Sequence, residues 1–328
     1  MAVCVQEVMR FADVAALWDT SAYNAGFIII KPTNLSKRLY LLVRNITSKS
    51  AKIDDQAALN NAIRVLQNTK TGLNATVLNK RRFLSGLEYF EKQRHWHVPA
   101  AGETCDRQST CAVVVHNNWI VGKAAKVYRF REYLMWMYEG DDEYYTSNSR
   151  LYLTYTNQAP TVPQDGLSKD QRTEVANSQI SALKTAMTIG HLLNRTVILP
   201  RFHAGPKAAE SPLNSVLHVK SFDSGFAGQY RESSFLSHPK VLPDVKSGLS
   251  ERQVITDRSG NSTTAGGWIT VPEADIMRQF GDAKDKVLVY GSLYGTEVAL
   301  RNTSHNTVFM KKLRTAIYRS DYRQFERW

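Results

Sequence analysis

Val113-Val114-Val115-His116-Asn117-Asn118-Trp119-Ile120-Val121-Gly122-Lys123-Ala124-Ala125-Lys126 changes its pattern halfway along. The β-branched run reads as a buried strand, Cys111–Val115, that ends by delivering the His116 imidazole. A glycine follows, and lysines open a helix over Lys123–Tyr138 with Val127, Phe130, Leu134 and Met137 at helical spacing. A strand that passes through a polar loop into a helix is the repeating step of an α/β fold. Imidazole is a common metal ligand, and helix N-terminal N–H groups beside a lysine suit a diphosphate. An ordinary histidine held by its neighbours is the alternative, and the two readings stand level.

Upstream, Asp13–Trp18 and Tyr23–Ile30 read as two strands joined by the polar turn Asp19-Thr20-Ser21. Asn34 caps a helix with Leu35, Leu39, Leu42, Val43 and Ile46 on one face. Asp54 caps the next, with Ala58, Leu59, Ile63 and Leu66 turned inward. Val77–Leu78 and Phe83–Phe90 read as short strands or turns. Downstream, strand Leu151–Thr156, helix Gln171–Leu193, strand Thr196–Leu199, strand Val287–Tyr290 and helix Val308–Tyr318 continue the alternation, around a loop-rich 203–267. The acidic stretch Glu139–Arg150 and the proline-bearing Asn157–Gly166 put a domain boundary between Gly140 and Gly166.

Composition excludes several classes. With 43% hydrophobic and 22% charged residues, the 328-residue chain has a core and is not disordered throughout. No apolar run reaches the ~18–20 residues of a membrane span, and the first ten residues do not form a signal peptide. The net charge of +12 is divided evenly, +6 in residues 1–150 and +6 in 151–328. No RNP-like, zinc-finger or helix-turn-helix pattern accompanies it, so nucleic-acid binding is not expected. The three cysteines, Cys4, Cys105 and Cys111, contain no Cys-x-x-Cys pair. Cys105 and Cys111 either close a small loop by a disulfide or remain free thiols. Six glycosylation acceptor patterns, at Asn34, Asn45, Asn74, Asn194, Asn261 and Asn302, tilt the compartment toward the secretory pathway.

Three further stretches carry candidate chemistry. In Tyr23-Asn24-Ala25-Gly26-Phe27-Ile28-Ile29-Ile30, a glycine beside an asparagine admits close backbone approach and offers an amide to hydroxyl groups. An ordinary turn entering a core strand explains the same residues. Asp54-Asp55-Gln56 with Asn60 opens a helix, where the macrodipole favours carboxylates. Capping accounts for one aspartate but not for the pair followed by glutamine. In Phe83-Leu84-Ser85-Gly86-Leu87-Glu88-Tyr89-Phe90, aromatics around a glycine suit either a sugar platform or the core.

In this order, the four stretches resemble the retaining, metal-dependent GT-A glycosyltransferases, nearest to the nucleotide-diphospho-sugar transferase domain of glycosyltransferase family 77 and more distantly family 8. The likeness covers Asp13 to Trp136. It implies an α/β fold with a partial GT-A layer followed by a second α/β domain. Residues 1–140 would be the C-terminal part of the transferase domain, 141–166 a linker with the first strand of the next domain, and 167–328 that second domain. The implied activity is metal-assisted transfer of a sugar from a nucleotide diphosphate to a glycan or glycoprotein, in the Golgi lumen; the alternative is a catalytically silent binding or scaffold protein of the same descent. Asp55 and Gln56 would lie at the reacting centre. Asn24, Gly26, Gly122, Lys123 and Lys126 would bind the donor, and His116 would ligate Mn²⁺ or Mg²⁺. A membrane anchor is expected only if a span lies upstream.

The sequence departs from this family in two ways. It contains no Asp-x-Asp, the family's main cation motif, and only about twenty residues precede Tyr23, so the chain reads as N-terminally incomplete. The interval from His116 to Gly122 is also longer than in the family 8 relatives. In the second half, Asn177-Ser178-Gln179 through Leu193-Asn194-Arg195-Thr196 resembles the first helix–strand unit of the GT-B O-fucosyltransferases.

Overall fold

The computed structural model describes residues 10–50, 52–70, 72–92, 112–137, 143–157, 166–203, 210–252, 264–265 and 268–318. All three cysteines and the Asn261 acceptor lie outside these residues. The chain forms two compact units, Met1–Trp119 and Ile120–Trp328. The division therefore falls at Trp119/Ile120, upstream of the 140–166 stretch that composition alone singles out.

In the first unit, β1 (Val14–Asp19) pairs antiparallel with β2 (Ala22–Ile30) through a tight turn in which Thr20 adopts a left-handed conformation. The other edge of β1 takes β3 (Ala75–Val77) in parallel. Between β2 and β3 the chain makes two helices, α1 (Asn34–Lys49) and α2 (Asp55–Gln67). The N-cap of α1 is Thr33, one residue before the sequence-based choice, because Thr33 and Ser36 exchange side-chain and backbone bonds as a capping box. Asp54 caps α2 as expected, accepting from Ala57 N at 2.7 Å. Alternation along β1 divides the hydrophobic packing. Val14 joins Leu39, Leu59, Ile63 and Leu66 on the helical side. Ala15 and Leu17 turn the other way, to Leu78 and Phe83. β4 (Phe83–Ser85) pairs in parallel with β5 (Val114–His116) and sets Ser85 opposite His116.

The second unit begins with α3 (Lys123–Glu132). This helix is shorter than its apolar spacing suggests, and it buries a different face. Ala125, Tyr128, Arg129 and Glu132 are inside, while Leu134 and Met137 are exposed. The helix stops because Leu134 turns left-handed and its N–H returns to Arg131 O. A five-stranded parallel sheet follows, built from β6 (Tyr152–Tyr155), β7 (Thr196–Ile198), β8 (Tyr230–Arg231), β9 (Leu249–Arg252) and β10 (Val287–Tyr290) in the order β8-β7-β6-β10-β9. The 203–267 region thus supplies two strands of the main sheet, which lack any long apolar run, and a helix, α5 (Val219–Phe226).

The long helix α4 (Lys169–Leu193) joins β6 to β7 and packs Ile180, Leu183 and Met187 against Leu153, Val197 and Leu288. Asn177 lies within this helix rather than at its start, which is capped by Ser168 and Gln171. Helices α6 (Glu273–Phe280) and α7 (Ser304–Tyr318) complete the unit. No helix among the described residues is long and apolar enough to cross a membrane.

The approach of α4 to β7 depends on Gly190, where an added Cβ would stand 2.8 Å from Val197 Cγ2 and 2.9 Å from Arg195 O. Neither atom is at the end of a flexible chain. The overlap outweighs the ~1 kcal/mol of helix propensity gained with alanine. Gly190→Ala should therefore lower the unfolding free energy by about 1–2 kcal/mol, read as a lower urea midpoint at unchanged slope.

Glu132 on α3 is only 1% exposed, and both its oxygens accept from Leu213 N at 3.2 Å. Burial pushes its carboxyl up from 4.5 to about 7, against the opposing pull of Arg201 and the Leu213 N–H. The fold thus favours the protonated form. This contribution is complete below pH 4.5 and is lost as pH rises through 7. Glu132→Gln mimics the protonated state. Its unfolding free energy relative to the parent should be near zero at pH 4.5 and should rise toward pH 8, with about 3 kcal/mol as the ceiling. A gap that is constant with pH would contradict this.

Candidate functional site

The polar cluster of the first unit is organised around Asp19, at the end of β1. Its carboxylate is 8% exposed and accepts three N–H groups. Asn24 Nδ2 donates to Oδ2 at 3.0 Å, Asn118 Nδ2 to Oδ2 at 3.1 Å, and Trp119 Nε1 to Oδ1 at 2.6 Å. The donors come from two places far apart in sequence, the start of β2 and the segment just beyond β5. Asn118 also binds the β4 end through Gly86 N, at 2.6 Å to its Oδ1. Trp119 lies in the left-handed region at φ 59°, with its indole N–H bonded to Asp19.

Asn24 is fully engaged within the unit. Its second amide hydrogen goes to Gln56 Oε1 at 3.0 Å, and its oxygen accepts from Gly26 N at 2.8 Å. Asn24 therefore acts directly on Gln56, fixing the plane of that carboxamide and leaving the Gln56 NH₂ as a donor for something else. Asn60, one turn further along α2, accepts from Tyr23 N at 3.0 Å and donates to Tyr23 O at 2.7 Å. This two-way bond holds α2 to β2 and sets the distance between Asn24 and Gln56. Tyr23 donates to Ala75 O at 3.2 Å, and burial raises its phenol above its ordinary value.

His116 comes to the same place. Its imidazole lies over Gly26, where an added Cβ would be 2.4 Å from Nε2 and 3.0 Å from Asn24 Oδ1. Gly26 is needed for this close approach. Asp55 is exposed at the first turn of α2, and its Oδ1 accepts from Gln56 N at 2.9 Å. Asn24, Gly26, Gln56 and His116 thus meet directly, with Asp55 adjacent through Gln56. The Phe83–Phe90 segment contributes Phe83 and Phe90 to buried positions, which fits its core reading better than a sugar platform.

Gly122, Lys123 and Lys126 belong to the second unit, where they open α3. Gly122 has φ 96° and faces the Lys220 side chain.

The cluster has three members that the sequence does not single out, Asp19, Asn118 and Trp119. Asp19 looks like an ordinary turn residue, and the only signal was its place at the mouth of the same strand pair as Asn24. The divalent cation implied by the family resemblance does not fit what is here. Among the described residues, no three His, Cys, Asp or Glu side chains converge, and Asp19 is committed to three N–H donors.

A family model described as nucleotide-diphospho-sugar transferase matches residues 7–130. No curated protein matches the chain, and no solved structure does. Residues 7–130 are thus nucleotide-diphospho-sugar transferase-like at the level of the family; the match runs past the first unit into α3, and the rest of the second unit is a further α/β fold.

Removing the central acceptor tests the cluster. Asp19→Ala leaves three N–H groups without their acceptor and should cost about 2–4 kcal/mol. Asp55→Ala removes an exposed carboxylate near a helix start and should cost about 0.5 kcal/mol. Equal losses in chemical denaturation would show that Asp19 does not hold the cluster together.

Proposed function

We propose that the first unit binds the sugar of a nucleotide diphosphate donor, as part of a glycosyltransferase that passes the sugar to a glycan or glycoprotein. The observation that supports this is the meeting of Asn24, Gly26, Gln56 and His116, drawn from three separate stretches, inside the region matched by the transferase family model. Hydroxyl-rich ligands are recognised by fixed amides at sites with close backbone access. Gln56 supplies such an amide, oriented by the chain of bonds from Asp19 through Asn24. The exposed Asp55 carboxylate adjoins it, suited to stabilising positive charge that develops on the sugar. His116 offers an imidazole next to Gly26. In this proposal Lys123 and Lys126 keep their diphosphate role through the family resemblance alone, as do the Golgi compartment, the GT-A subtype and the Mn²⁺ or Mg²⁺ requirement.

A second reading is a protein that holds a sugar without transferring it. It is favoured by the way Asp19, the buried carboxylate of the cluster, is used: its three partners are N–H donors, as in a structural hub.

The test is nucleoside diphosphate release from a panel of UDP- and GDP-sugars, with and without Mn²⁺, run beside direct binding of the same compounds. Transfer predicts release that Gln56→Ala and Asp55→Asn lower at least tenfold in kcat with circular dichroism unchanged. Binding that Gln56→Ala weakens, with no release under any condition, selects the second reading. If no nucleotide sugar binds, both fail.

A further inference from the structure

The amino ends of the parallel strands in the second unit frame a cavity of about 530 Å³. Arg150, just before β6, and Gly228, just before β8, both line it, so it lies at the amino edge of the sheet. Ligands of open parallel sheets ordinarily sit at the opposite, carboxyl edge. The lining is strongly cationic. Lys123, Arg131, Arg150 and Arg231 line the cavity, and Asp223 is its single carboxylate. Asp223 is occupied in accepting from the Tyr230 hydroxyl at 3.0 Å.

The four cations are not equivalent. Arg231 is 1% exposed, donates to the carbonyls of Tyr144, Gly228 and Tyr230, and has the buried Glu232 next to it in sequence. It belongs to the core. The Arg131 guanidinium lies 3.6 Å from the centre of the Tyr144 ring, flat against the wall. Arg150 makes one bond, to Gly228 O at 3.1 Å, and has no carboxylate partner among the described residues. Lys123 is exposed at the first position of α3, a helix without a side-chain cap, so N–H groups of its first turn are left for another acceptor. Tyr128 also lines the cavity, is 5% exposed, and has a hydroxyl with no partner among the described residues. Lys123 and Arg150 therefore bring charge to the rim of a recess whose wall includes Tyr128.

We propose that this cavity binds a phosphate or sulfate group, held by Lys123 and Arg150, of a small ligand whose remaining surface lies against Tyr128 and Tyr230. A guanidinium with most of its fork unused is matched to a tetrahedral oxyanion, and a helix start adds N–H donors of the same polarity. A cavity of this size accommodates more than the bare ion. The site lies wholly in the second unit; it shares Lys123 with the diphosphate role proposed above but rests on Arg150 and the cavity, so Arg150→Met tests it apart from the sugar-transfer proposal.

The test is calorimetric titration of the full chain with inorganic phosphate, pyrophosphate and inorganic sulfate, at fixed ionic strength set with chloride. At least one of the three should bind with 1:1 stoichiometry. Arg150→Met and Lys123→Met should each weaken it tenfold or more, while Lys311→Met, on α7, should leave it unchanged. Phosphate and pyrophosphate binding without sulfate would assign the ligand to phosphate esters, and sulfate alone to sulfate esters. No binding by any probe, or equal weakening by Lys311→Met, would overturn the proposal, the latter because it would reduce the effect to general attraction by a chain of charge +12. Lys123→Met alters an exposed side chain, so it keeps the test valid if Arg150→Met fails to fold.

Discussion

The first unit depends on where one carboxylate finds its hydrogen bonds. Asp19 ends β1, and burial would cost it several kcal/mol without donors. Asn24 supplies one locally, across the hairpin turn. The other two, from Asn118 and Trp119, arrive after a separation of 99 and 100 residues. A short-range turn and a long-range closure are thereby satisfied at the same atoms. Everything attached to Asn24 inherits that position: the orientation of the Gln56 amide, the conformation around Gly26, and the space over Gly26 that His116 fills. Charged hydrogen bonds of this kind are roughly twice as strong as neutral ones, so the assembly resists rearrangement more than its small size suggests.

The second unit meets the same requirement with the opposite charge. Arg195, 5% exposed at the head of β7, donates to the carbonyls of Tyr152, Ala283 and Asp285. Those carbonyls belong to the start of β6 and to the loop before β10, so one guanidinium fixes the register of three adjacent strands at their amino ends. Burial lowers its pKa, which measures the cost of keeping the charge inside. With these strand ends fixed, the neighbouring Arg150 and Gly228 are held at the rim of a recess rather than on a mobile loop.

The elements that the sequence discloses are those whose apolar spacing coincides with a capping residue. Asp54 with Ala58, Leu59, Ile63 and Leu66 became α2 with the expected inner face, and Tyr23–Ile30 and Val287–Tyr290 became strands within a residue of their expected limits. The failures are equally physical. On α3, Val127, Phe130, Leu134 and Met137 have helical spacing, yet the buried positions include Arg129 and Glu132, which sequence patterning assigns to solvent. A buried face that admits charged residues is set by tertiary partners such as Leu213 N, and these are invisible in a local window. β8 and β9 escaped notice because strands of two and four residues without an apolar run carry no periodic signal.

For the candidate site, residue types were legible and their division of labour was not. Asn24 reads from sequence as a group that touches a ligand, but both its amide hydrogens and its oxygen are spent on Asp19, Gln56 and Gly26. Spacing can show that an amide stands near a strand mouth; only geometry shows which amide is left over, and here that is Gln56. The same distinction governs the lysines. Lys123 follows Gly122 in an order that suggests service to the chemistry upstream, yet it opens a helix of the second unit and lines that unit's own cavity. The boundary between the two compact units, at Trp119/Ile120, divides a continuous strand–loop–helix pattern. Asn118 and Trp119 bond to Asp19 in the first unit, whereas Lys123 opens α3 in the second, so continuity in sequence does not by itself show which polar groups share a site.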